Sequence, residues 1–106
     1  MMITTHVLDT ATGQPAARIP VELDVFVSGH GWRDAGRGVT NTDGRILDFG
    51  EEPAPGIYRL MFDVAVHIPD AFFPTISVTF EVKDAQEHVH VPLLLAPFGY
   101  TTYRGS

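Results

Sequence analysis

The chain has 106 residues, 44% of them hydrophobic and 19% charged, an ordinary globular composition with room for one domain, expected to span residues 1–106. Thirteen Asp and Glu against seven Lys and Arg give a formal charge of −6, and no basic run occurs, which argues against a nucleic-acid binder. The lack of cysteine excludes a disulfide framework, a thiol nucleophile and a thiolate metal site.

The opening MMITTHVLDT has neither the cationic nor the apolar region of a secretory signal. No stretch approaches the roughly 20 apolar residues of a membrane span. A cytoplasmic protein without membrane contact is expected.

Ile3–Asp9 alternates as a strand, with Thr4, His6 and Leu8 on one face and Ile3, Thr5 and Val7 on the other. Thr10–Pro15 is turn chemistry. A second strand follows, with Val21, Leu23, Val25 and Val27 inward and Glu22, Asp24 and Phe26 outward. Ser28–Gly38 holds four glycines around Trp32 and reads as weak, interrupted structure. Thr40–Gly44 is a strong turn signal that delivers Arg45 to a short strand ending at Phe49.

A loop over residues 51–56 leads to a strand from Ile57 to Val64, in which Tyr58, Leu60, Phe62 and Val64 share a face. At most one helical turn fits between Asp63 and Ile68, ahead of Pro69. Thr75–Lys83 alternates without a break, and strands at Glu87–Leu95 and Phe98–Arg104 complete the set. Pro92, inside the first of these, cannot donate to a ladder and implies a bulge or a missing bond. Seven or eight short strands with almost no helical periodicity predict an all-β antiparallel sandwich.

Few residues carry chemistry. His88 and His90, two apart on a strand, point to one face, a spacing that suits two imidazole ligands with His6 as a third. No carboxylate pair completes such a site. His6 reads as a surface histidine when taken alone, Arg45 as a solvated charge and Tyr103–Ser106 as a frayed end. Their weight changes if they converge. The chain has no nucleophile elbow, no phosphate-cradling loop and no acidic pair, so nothing points to a covalent intermediate.

THVLDT around His6, TNTDGR ending at Arg45, the Phe72–Pro74 FFP and the closing HVPLLLAPFGYTTYRGS resemble the transthyretin-related 5-hydroxyisourate hydrolases. The resemblance spans essentially the whole chain, and the final YRGS separates these enzymes from transthyretin, the hormone carrier of the same fold. It implies a prealbumin-like sandwich of two four-stranded sheets, assembled as a homotetramer with sites at the dimer–dimer interface. It implies hydrolysis of 5-hydroxyisourate in urate catabolism, without metal or cofactor. Carried over by position, His6, Arg45, His90 and Ser106 are the expected catalytic residues. The expected substrate-binding residues are His6, Arg45, Tyr103, Arg104, Gly105 and Ser106. Either His6 or His90 serves as base, and Arg104 is alternatively structural, pairing across an interface. His88 falls outside the motif, and where the family carries a Tyr-Phe pair this chain has Ala65-Val-His67.

Two other readings use the same residues. One is a transthyretin-like small-ligand carrier without hydrolase activity. The other is a metal-dependent enzyme built on His6, His88 and His90.

Overall fold

Alternation sorts each strand into an inner and an outer row of side chains. In the structure, a computed structural model describing residues 2–50 and 53–106, those rows build two sheets. The first sheet contains β1 (Ile3–Asp9), β2 (Gln14–Pro15), β5 (Arg45–Ile46), β8 (Val89–Ala96) and β9 (Gly99–Thr102). The second has the order β4 (Gly31–Val39), β3 (Pro20–Val27), β6 (Gly56–Asp63), β7 (Thr75–Val82). The inner rows meet in one core, where Val7, Ile19, Leu60, Phe62, Leu93 and Leu95 are fully buried. A single 3-10 turn, Val64–Val66, stands where one helical turn was expected. Among the described residues no helix is long and apolar enough to cross a membrane.

The expected sandwich is present, with differences of detail. One sheet has four strands and the other five, because β2 and β5 both add to the same edge of β1. β5 takes Thr5 and His6, and β2, in a segment expected to be only a turn, takes Leu8 and Asp9. Where the two pieces meet, the Val7 N–H donates to Gly44 O at 2.8 Å and Val7 O accepts from the Ala16 N–H at 2.9 Å. On its other edge β1 pairs with β8 in parallel, the one departure from an antiparallel design among the described residues.

Three segments differ from expectation for identifiable reasons. Ser28–Gly38 was expected to be broken, but Gly31–Val39 is one continuous strand, held by pairing with β3 rather than by its own pattern. The strand after Arg45 stops at Ile46, although Phe49 still reaches the core. Asp24, expected outward and solvated, is buried, because Arg59 Nη2 pairs with it at 2.9 Å and Trp32 covers the guanidinium at 4.2 Å. Val27, expected inward, lies beyond the end of the core and is exposed. The loop predicted over residues 51–56 begins with two glutamates that lie outside the described residues.

Pro92 causes no bulge. The β1–β8 register passes it without a shift, and the cost falls on the other side, towards β9. Leu93↔Thr102 and the isolated bridge His90↔Gly105 keep one register, but the ladder lapses between them, opposite the missing N–H. The Thr102 hydroxyl donates to Pro92 O at 2.8 Å in that gap.

Asp9 closes β1 with a buried carboxylate. Its Oδ1 accepts the N–H groups of Ala11 at 2.9 Å and Thr12 at 3.3 Å, and its Oδ2 lies 2.9 Å from His67 Nε2. Burial alone would raise its pKa, but the hydrogen bonds from His67, Ala11 and Thr12 outweigh it and hold the group below the usual 3.8. A depressed carboxyl stabilises the fold above its unfolded-state value and stops doing so as pH falls through the folded one. Asp9→Ala should therefore cost about 2 kcal/mol near neutral pH. The difference from wild type should narrow as pH drops below 3.8, which melting curves from neutral to strongly acid pH check.

Candidate active site

Register decides which side chains become neighbours here. Across the parallel ladder Thr4 lies opposite His90 and His6 opposite Pro92; across the other edge His6 lies opposite Arg45. Residues paired across a ladder project from the same face. This is the outer face, because the intervening Ile3, Thr5, Val7, Val89, Val91 and Leu93 are buried in the core row. The turn before Arg45 fixes its place: Asn41 Oδ1 accepts the N–H groups of Asp43 at 2.9 Å and Arg45 at 3.0 Å. Gly44, at φ +74°, sits where a Cβ would collide with the Val7 carbonyl.

The end of the chain joins the group through Gly105, whose N–H donates to His90 O at 2.8 Å. A Cβ on residue 105 would stand 2.5 Å from His90 Cδ2 and 3.2 Å from Pro92 Cγ. Glycine is required there for room, since the imidazole lies against its backbone. Tyr103, two residues earlier, is 55% exposed, and Ser106 is exposed beside Gly105.

His90 is half-buried, with Nδ1 2.8 Å from Thr4 Oγ1. Its Nε2 has no hydrogen-bond partner among the described residues, and no unpaired side-chain nitrogen or oxygen there is buried, so Nε2 reaches solvent. Burial chiefly, then the charges of Arg45, His6 and His88, push its pKa below the usual 6.5, against a smaller opposing effect of the hydrogen bond at Thr4. The result is an imidazole kept neutral at neutral pH with one nitrogen open, as a general base requires.

Sequence reasoning missed the role of Thr4. Only 2% exposed although on the outer face, it also lies 2.9 Å, through the same Oγ1, from His88 Nε2. His88, outside the motif, is thereby tied to His90. A threonine facing a His-x-His strand was the available signal, but the pairing partner of β8 could not be read from the chain. Among the described residues no three His, Cys, Asp or Glu side chains are arranged to hold a metal ion. His88 and His90 each turn a nitrogen to Thr4 instead.

Arg104 is not brought to this group. It lines a cleft of about 140 Å³ with Val78, Phe80, Val89 and Val91, and its Nη2 pairs with Glu87 Oε2 at 3.0 Å. This pairing lies within the chain. A larger cavity, about 630 Å³, opens over Glu22, Arg37 and Met61 of the second sheet. Neither cavity includes His6, Arg45 or His90.

Residues 3–105 match the model of the HIUase/Transthyretin family. The chain is 47% identical to the uric acid degradation bifunctional protein TTL of Arabidopsis thaliana over 98% of its own length, and spans only 37% of that protein. It is 44% identical to the 5-hydroxyisourate hydrolase of Halalkalibacterium halodurans, over 98% of this chain and 97% of that one. Its backbone matches sea bream transthyretin, solved in complex with thyroxine, with TM-score 0.89 at 27% identity, covering 97% of this chain and 93% of that one.

Removing a neighbouring positive charge eases protonation. Arg45→Gln should therefore raise the titration midpoint of His90 from its depressed value towards 6.5, as followed by imidazole proton resonances. An unmoved midpoint would mean that the ring does not feel Arg45.

Proposed function

The chain belongs to the HIUase/Transthyretin family, and on that premise we propose that it is an enzyme hydrolysing 5-hydroxyisourate in urate catabolism. The product is 2-oxo-4-hydroxy-4-carboxy-5-ureidoimidazoline, formed by side-chain activation of water. One observation carries this reading: the open Nε2 of a neutral His90 stands on the same face as His6 and Arg45.

In the proposed reaction, His90 Nε2 takes a proton from water as its oxygen bonds to the ring carbonyl carbon. The Arg45 guanidinium faces the charge that builds on the carbonyl oxygen. Collapse then breaks the carbon–nitrogen bond, His6 gives the leaving nitrogen a proton, and a carboxyl and a ureido group result. Tyr103, Gly105 and Ser106 border the substrate. Arg104, held by Glu87, is assigned to fixing the closing segment rather than to touching substrate.

The backbone match to a transthyretin favours a carrier as a second reading, since the fold is common to both. The side chains speak against it. An apolar ligand on this face would strand two imidazoles and a guanidinium, at a cost of several kcal/mol for each unpaired charge. We include in the proposal a cytoplasmic homotetramer whose dimer–dimer channel this face lines. The exposure of Arg45 and Tyr103 in the single chain suits a site that a second copy closes.

Freshly generated 5-hydroxyisourate, followed by absorbance, should disappear faster with the protein present; no acceleration would sink the proposal. His90→Asn should lower kcat by about 100-fold or more, the range of a lost general base. Gly105→Ala, by driving the ring of His90 off its seat, should lower it by roughly tenfold to 100-fold.

A further inference from the structure

The His90–Thr4–His88 chain lies behind the open nitrogen, and one hydroxyl serves both rings. Thr4 Oγ1 is 2.8 Å from His90 Nδ1 and 2.9 Å from His88 Nε2. A hydroxyl has a single hydrogen to donate. Thr4 is buried, and its hydroxyl has no other hydrogen-bond partner among the described residues, so both rings donating to it would leave its hydrogen without an acceptor. With both rings neutral, it donates to one and accepts an N–H from the other. Two arrangements follow. If Thr4 donates to His90, the His90 proton sits on Nε2 and no base faces water. If Thr4 donates to His88, His90 keeps its proton on Nδ1 and presents a bare Nε2.

We infer that Thr4 and His88 are positioning residues that hold His90 in the second arrangement, Nδ1–H to Thr4 Oγ1 and Thr4 O–H to His88 Nε2. The inference rests on the proposed hydrolase and deepens its account of His90. The second arrangement is the one that survives the reaction. Once His90 Nε2 has taken a proton, both ring nitrogens are donors, so Nδ1–H must already point at Thr4 and the hydroxyl hydrogen must already point at His88. The first arrangement would need the hydroxyl to turn and His88 to surrender its Nε2 proton while the charge develops. In the second, the growing charge strengthens a bond already made.

Arg45 on β5, His6 on β1 and His88 ahead of β8 are the groups whose positive charge works against protonation of His90. Thr4 is shielded, while His88 is exposed and can satisfy its remaining nitrogen with water. A protonated His88 would have to donate to Thr4, which would then donate to His90 and move the His90 proton to Nε2. The pair is thus sensitive to acid in the direction that disables the base.

The test reads the proton directly. Nitrogen-15 imidazole spectra of the full chain, above the titration of His90, should show His90 protonated on Nδ1 in wild type. In His88→Ala, an exposed site, the free hydroxyl should turn to His90 and shift its proton to Nε2, with kcat lowered by roughly tenfold and KM little changed. Thr4→Val should lower kcat at least as much, and Thr4→Ser should restore both tautomer and rate. A wild-type His90 protonated on Nε2, or a tautomer and kcat unmoved by His88→Ala, overturns the inference. If the tautomer is as stated and responds to His88→Ala but the wild type does not hydrolyse 5-hydroxyisourate, the functional proposal fails and the proton assignment stands.

Discussion

Parallel pairing of β1 with β8 holds the first strand against the eighth, and every feature of the candidate site depends on its register. Strand side chains alternate with period two, so a slip of one residue would exchange the two faces. A slip of β1 would turn Thr4 and His6 into the core and Thr5 and Val7 out. It would bury an imidazole without a partner and expose part of the inner row, so the same apolar burial that stabilises the sandwich also fixes the site. Thr5 adds a specific tie, its hydroxyl donating to Val91 O at 2.6 Å.

The remaining parts reach that ladder by turns and by close approach. The edge of β1 at Thr5 and His6 would be bare if Asn41 and Gly44 did not return the chain at Arg45. The last residues reach His90 only because the β8–β9 register persists across the gap at Pro92 and resumes at Gly105. Proline and glycine thus do complementary work: one releases the closing segment from the ladder for a short stretch, and the other lets it return with the imidazole against its backbone.

Strands with strong alternation were legible from sequence almost to the residue, β1 and β7 most plainly, because period-two burial is a local property. β4 was not, since an edge strand of Gly, Trp, Arg and Asp has no inner row to advertise and is specified by its partner. β2 was hidden for the same reason, a two-residue strand existing only as an extension of β1. The residues of the candidate site were recognisable by resemblance, and their convergence required topology. Thr4 shows the limit most clearly. Its type and face were visible, but its contact with two histidines lies 84 and 86 positions away in sequence. Arg104 shows the converse, a conspicuous charge in a conspicuous motif whose pairing with Glu87 nothing in its own stretch announces.

Two of the five histidines show how environment divides labour between identical side chains. His67 is backed by the buried carboxylate of Asp9, whose pKa is lowered in return, and the pair ties the 3-10 turn to the end of β1. A carboxylate behind His90 would orient that ring equally well, but its charge would favour the imidazolium and leave less free base at neutral pH. A threonine hydroxyl orients at a smaller penalty, because it offers direction and no charge. Half-buried and set among Arg45, His6 and His88, His90 therefore keeps a depressed pKa and a fixed geometry together. An acid–base residue that must begin neutral and accept a proton during the proposed reaction is better served by a neutral support than by an ionic one, and the His90–Thr4 contact supplies it.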